Sequence, residues 1–300
     1  MLICLINTPS LPTPGTHFIT TSKFVSGFKS LGYEYRLITS DDDLSSIPDT
    51  KETIFVLSNH GIVGSGIEKF ERYLRFVNST FILWFYHDIL EKNGMKLPLK
   101  KWILTGEHFH SKPKLHSHIR FWDIQQKIEN YEPLTFSSYL TPKEVATHTR
   151  GPILWDAQFV GSPYKVSWLG QIPNCFARTT ALSTTEEERV RSFLQSECAL
   201  GFHSDANVLN NVVVERVPEA LSYGAVCLSD NPAAVEYTDG IVDFVSSLEE
   251  TKNRIQYYKS NKTEADKKRQ AGYNWVSSKG TYQHVAARFL SKMKNLGYCK

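Results

Sequence analysis

The sequence has no hydrophobic run long enough to cross a bilayer. Its apolar opening, MLICLINTPSLPTPG, holds only a handful of such residues in a row behind no positively charged lead, whereas a spanning helix needs about 20. Neither a membrane anchor nor a secretory leader is expected, and the location expected is the cytoplasm. Cysteine is sparse: Cys4, Cys175, Cys198, Cys227 and Cys299 are scattered without a CxxC pair. That excludes a disulfide scaffold and a cysteine zinc site and predicts reduced thiols. Charge of one sign is also in short supply, since 34 Lys and Arg against 31 Asp and Glu leave a formal +3 with no basic run. Nucleic acid is therefore not the expected partner, although a nucleotide diphosphate needs only one or two well-placed cations. There is no low-complexity tract and no internal repeat, and 41% hydrophobic with 22% charged residues is the composition of a folded soluble protein. The sequons at Asn78 and Asn261 are acceptors only in a secretory compartment and are expected to be unmodified.

The 300 residues suit two α/β domains of about 150 residues each. The first half alternates apolar strands (2–7, 33–39, 53–59, 80–86 and 101–106) with helical patterns at 16–31 and 67–77. Strands this apolar are buried on both faces, as in a parallel sheet covered by helices. Residues 118–130 again read as helical, Pro133 and Pro142 read as breakers, and THTRGP (147–152) reads as the boundary between domains 1–152 and 153–300. The second half repeats the rhythm. Strands are expected at 156–161, 198–203, 225–230 and 240–245, with helices opened by Ser162-Pro163, by Glu186–Glu188 and near Pro218, and terminal helices at about 263–278 and 281–296. The last of these is a candidate to pack back on the first domain.

Ligands of a doubly wound sheet lie where loops leave the carboxyl ends of the strands, so those exits carry the candidates. In GFHSDANVLNNVVVERVPEALSYGAVCLSD (201–230), Pro218 sits near a helix start, which needs no N–H from it. Arg216, Val217, Pro218 and Glu219 then surround a helix N-terminus suited to phosphate, with Arg216 as a forked donor and Glu219 as an acceptor for paired ribose hydroxyls. The loop at His203 and Ser204 comes near the same place. In FVGSPYK (159–165), Gly161 permits a close backbone approach, Ser162 caps a helix, and Lys165 in the first turn is compensated by a phosphate. Each of these also has a plain structural reading, as a helix-end charge, a cap or a surface cation.

The stretch ExALSYGAVCLSD resembles the donor-site signature RxFEALxxGxxxLSD of GT-B glycosyltransferases. The resemblance implies two doubly wound Rossmann-like domains facing across a cleft, the acceptor site in the first and the nucleotide-sugar site in the second. It also implies Glu219 on the nucleotide ribose, Arg216 on the diphosphate, and no metal or other cofactor. FVGSPYK, GFHSD and LSDNPAAVEY are further similar to capsid-glycan glycosyltransferases of large algal viruses, which implies a UDP donor such as UDP-xylose. Retaining members carry a second Glu eight residues before the ribose-binding one, and here that position is Asn211. An inverting displacement is therefore expected, with the first domain supplying a base to a glycan acceptor.

The strand end WFYHD (84–88) offers Asp88 as that base. The alternative reading of Asp88 is a helix N-cap. His60 in SNHG is the second candidate, and the resemblance implies that Asn59, His87, Gly15 and Thr16 line the acceptor side, where a plain connecting loop is the alternative reading of Gly15 and Thr16. Paired histidines at 108, 110, 116 and 118 show no compact ligand set, and Asp41–Asp43 reads as a charged turn rather than a DxD metal motif. Two other classes remain open: an epimerase or hydrolase of nucleotide sugars on the same fold, and a binding protein without catalysis. Oligomeric state is not legible.

Overall fold

The structure is a computed structural model that describes residues 1–6, 16–38, 44–57, 71–84, 99–105, 113–114, 122–123, 125–135, 137–138, 140–147, 150–161, 165–178 and 185–299. By internal contacts the chain divides into two units. One takes in residues 1–108, 116–135 and 282–300, the other 109–115 and 136–281.

The first unit holds strands β1 (Leu2–Ile6), β2 (Glu34–Ile38), β3 (Thr53–Leu57), β4 (Thr80–Trp84) and β5 (Trp102–Thr105) in the order β2-β1-β3-β4-β5. Their pairings are parallel, with Leu5 of β1 beside Leu37 and Val56. β3 is buried at every position, whereas the edge strand β2 exposes four of its five residues and carries Glu34 and Arg36 there, as strand edges that resist mispairing do. Helix α1 (Thr16–Ser30) packs on the C-terminal residues of the chain through Phe24, whose ring centroid lies 4.8 Å from that of Phe289.

The second unit holds β6 (Trp155–Val160), β7 (Cys175–Arg178), β8 (Ser196–Leu200), β9 (Val226–Ser229) and β10 (Asp243–Phe244), ordered β10-β9-β8-β6-β7. Counted along the chain, both sheets have the order 2-1-3-4-5 of a doubly wound fold. Side chains of β9 alternate between two cores. Cys227 joins Phe193, Ala220, Leu221 and Trp275 on one face, and Val226 and Leu228 join Phe159, Phe202 and Ile255 on the other. Period-2 alternation between two apolar layers is why the strand reads as continuously hydrophobic.

The described helices of this unit are α2 (Pro142–Thr147), α3 (Val166–Leu169), α4 (Glu186–Leu194), α5 (Asp205–Leu209), α6 (Arg216–Ser222), α7 (Pro232–Tyr237), α8 (Leu248–Ser260) and α9 (Lys262–Lys279). The final helix, α10 (Tyr282–Asn295), groups with the first unit.

Several local expectations are corrected. Pro142 does not break a helix but opens α2, behind a capping box in which Glu144 accepts from the Thr141 N–H (2.7 Å) and Thr141 Oγ1 from the Glu144 N–H (3.3 Å). The described part of the helix expected at 67–77 is a 3₁₀ turn over 71–73 followed by turns. Asp49 pins the end of that segment by accepting from the N–H groups of Asn78 (2.8 Å) and Ser79 (2.9 Å). β7, α5 and α7 lie in stretches where no strand or helix was expected. Within the second unit, Ser138 donates its N–H to Gly280 O (2.8 Å).

Candidate functional site

In a sheet of order 2-1-3-4-5 the chain winds in opposite directions from strands 1 and 3, and the crevice opens at their carboxyl ends. In the second unit those are the ends of β6 and β8, where Gly161, Lys165, His203 and Arg216 meet. Gly161 follows β6 so closely beside Arg216 that a Cβ would overlap Arg216 Nη1. Arg216, the first residue of α6, lays its guanidinium over the Phe159 ring (4.7 Å to the centroid) and donates to Val160 O (3.4 Å) and Phe202 O. A single cation thus bridges the ends of both switch-point strands.

Lys165 has a left-handed backbone (φ 52°), with its ammonium 4.6 Å from the centroid of Trp168 and 3.4 Å from Asp230 Oδ2. Asp230 directly follows β9. Its Oδ1 accepts from the backbone N–H of His203 (2.9 Å) and lies 3.0 Å from His203 Nδ1. The Val214 N–H donates to His203 Nε2 (3.1 Å). A backbone N–H only donates, so Nε2 is the bare nitrogen and Nδ1 carries the hydrogen to Asp230. Burial pushes the imidazole below its ordinary pKa, against the opposing hydrogen bond and charge of Asp230. His203 is thus a neutral clamp between Asp230 and Val214.

The other expected donor residues divide by role. Ser204 caps α5, its Oγ accepting from the Asn207 N–H (3.1 Å). Val217 is fully buried in the core and its N–H closes a turn onto Val214 O (3.1 Å). Pro218 is buried and has no N–H, and the Glu219 N–H is bonded to Glu215 O (3.1 Å). The start of α6 therefore spends these donors on its own turn instead of presenting them to an anion. Glu219 is buried and its Oε1 lies 2.5 Å from Nη1 of Arg189 on α4, a partner that the sequence pattern did not reveal. Asp230 was also missed as a site residue, although it closes the LSD motif.

Asn211 has a structural reason to be there. It stands at φ 55° just past α5, with its N–H on Val208 O (3.2 Å) and the Val212 N–H on Asn207 O (2.9 Å). This paired pattern ends a helix in the left-handed conformation, which Asn tolerates and Glu does not. Gly224 (φ 67°) ends α6 by the same pattern, through Leu221 O and Ala220 O.

Asp88, His60, Asn59, His87, Gly15 and Ser162 lie outside the described residues, as do the paired histidines and Asp41–Asp43. Thr16 begins α1. Among the described residues no group of three His, Cys, Asp or Glu is placed to hold a metal, and no helix is long and apolar enough to cross a membrane. All five cysteines are free thiols.

The two doubly wound units are those of the GT-B class. A sucrose-phosphate synthase from Thermosynechococcus elongatus superposes with a TM-score of 0.59 at 11% identity, over 99% of each chain. An alpha-glucosyltransferase in complex with UDP and a 13-mer DNA superposes at 0.60 and 12% identity, over 100% of each chain. Residues 151–291 match the family described as Glycosyl transferase-like. Among curated protein sequences none matches the chain.

Proposed function

We propose that the protein transfers a sugar from a nucleotide diphosphate donor, a UDP-sugar, to a sugar hydroxyl of a glycan acceptor. The observation that carries this reading is the arrival of two cations, Lys165 and Arg216, at the carboxyl ends of β6 and β8. There they meet a diphosphate and stabilise it as it departs. Glu219 takes the ribose hydroxyls, with Arg189 holding one of its oxygens. The UDP bound by the superposing alpha-glucosyltransferase supports the choice of nucleotide. In the step itself the acceptor oxygen attacks the anomeric carbon, the bond to the diphosphate breaks, and Asp88, or else His60, takes the hydroxyl proton.

A single displacement inverts the anomeric centre, in keeping with Asn211 at the position of a retaining glutamate. Xylose as the sugar rests on the viral resemblance of FVGSPYK and GFHSD, metal-independence on the GT-B class, and a cytoplasmic setting on the reduced thiols.

The test is a thermal-shift panel of UDP, GDP, dTDP and CMP. A ligand at 100 times its Kd stabilises the native state by about 2.7 kcal/mol, so UDP should raise the melting temperature and the other nucleotides should not. Glu219→Ala should lose the UDP shift, measured from its own melting point. No shift with any nucleotide would sink the proposal. Incubating UDP-sugars without acceptor separates the rival activity, because release of sugar or an epimer at full rate marks a hydrolase or epimerase.

A further inference from the structure

Asp230 is buried at the switch point, and the fold uses only one of its two carboxylate oxygens. Oδ1 is fixed by both N–H groups of His203 (2.9 and 3.0 Å). Oδ2 is buried and, among the described residues, makes no hydrogen bond and faces only the Lys165 ammonium, 3.4 Å away. The Asp230 side chain is 4% exposed and that of Lys165 25%, so the lysine keeps access to solvent that the carboxylate lacks. The face of Trp168 holds it from another side. Lysine is among the most rotamer-rich of side chains, yet here it is fixed from two directions on a backbone in the disfavoured left-handed region. Strain of that kind persists where the surroundings over-determine it.

We propose that Asp230 is a positioning residue for the nucleotide diphosphate. It acts through Lys165, holding the ammonium in place before the ligand arrives and leaving its solvent-facing N–H groups for a phosphate oxygen. The inference rests on the proposed donor site. Its physical basis is preorganisation, since ordering the lysine in advance lowers the cost of binding. The opposing effect is repulsion between the carboxylate and the phosphate. The lysine is the more exposed member of the pair and His203 donates to Oδ1, so positioning outweighs repulsion.

The test is a double-mutant cycle read by calorimetric titration of UDP, with uridine as a phosphate-free control followed by ligand-observed NMR. Asp230→Asn keeps an oxygen for the N–H groups of His203. It should weaken UDP about tenfold in the wild-type background and change it less than twofold on Lys165→Met, a coupling of the size seen between contacting residues. Uridine affinity should stay the same in all four proteins. Equal weakening of UDP on both backgrounds, parallel loss of uridine, or no effect would each overturn the inference and leave Asp230 a purely structural anchor.

A readout independent of folding in the variant uses the wild-type protein. The Lys165 ammonium should give a slowly exchanging 15N–1H signal in the free protein that shifts on adding UDP. Rapid exchange in the free protein overturns the inference. Wild-type protein that binds no UDP overturns the proposed donor site and this inference together. UDP binding without coupling overturns only the role of Asp230.

Discussion

His203 shows how one side chain sets the geometry of the site without touching a ligand. It joins the exit of β8 to the exit of β9 through Asp230, and to the segment before α6 through Val214. The sequence marks it only as a histidine at a strand end, where a ligand contact and a core clamp read alike. Its burial and bonding decide for the clamp. Because the folded imidazole has a pKa below its ordinary 6.5, the unfolded chain takes up a proton that the native state refuses. Its contribution to stability is complete above about pH 6.5 and is lost as the pH falls from there toward the depressed value. His284 shifts in the same direction, so the wild type must be compared with His203→Gln. The variant should lose about 1–3 kcal/mol at pH 7.5 and show a shallower loss between pH 7.5 and 5.5 in urea unfolding. Equal pH slopes would count against the clamp.

At the level of elements, periodicity and caps were legible where segments are long or strongly apolar. α1, α9 and α10, and the strands β3, β8 and β9, fall close to where pattern places them. The misses are short. β7 has four residues at a sheet edge, and α5 and α7 have five and six, too few to establish a period. Each of the two helices is announced instead by its cap, Ser204 or Asn231, the latter accepting from the Ala233 N–H (3.0 Å).

The sequence marked the last helix as a candidate to pack back on the first unit, but not how closely α10 crosses α1. That crossing depends on Gly27, against which the backbone of Tyr282 packs so closely that a Cβ would overlap its carbonyl oxygen. Backbone cannot swing aside as a side chain can, so Gly27→Ala should push α10 off α1 and cost about 1–3 kcal/mol or more. Gly32→Ala is a poor control because its φ is 86°. Ser30→Ala, on the same helix, should fall within about 1 kcal/mol of wild type by chemical denaturation. Equal losses for the two would refute the tight crossing.

For the whole molecule, the chain builds most of the first unit, then the second, and returns to the first with its last 19 residues, 282–300. Val285, Phe289, Leu290 and Met293 of α10, which groups with that unit, are buried, each contributing roughly 1.5–3 kcal/mol. A chain ending at Thr281 should therefore lose the first unit's stability while keeping most of the second's. Calorimetry should show one transition shifted down and another nearly unmoved. A single unshifted transition would rule this out.

What the amino-acid sequence determined was the alternation of strand and helix, the two-unit α/β plan, and the glycine and cations at the strand exits of the second half. These follow from local periodicity and from chemistry that only certain side chains can supply. What the tertiary structure alone decided was the partnership of those groups. Arg216 is tied to two strand ends, Glu219 is paired with Arg189, and Asp230 is set between Lys165 and His203. Such pairings join residues far apart in the chain, and they are set by how the sheet is wound and by which charges it buries together. No local pattern carries that information.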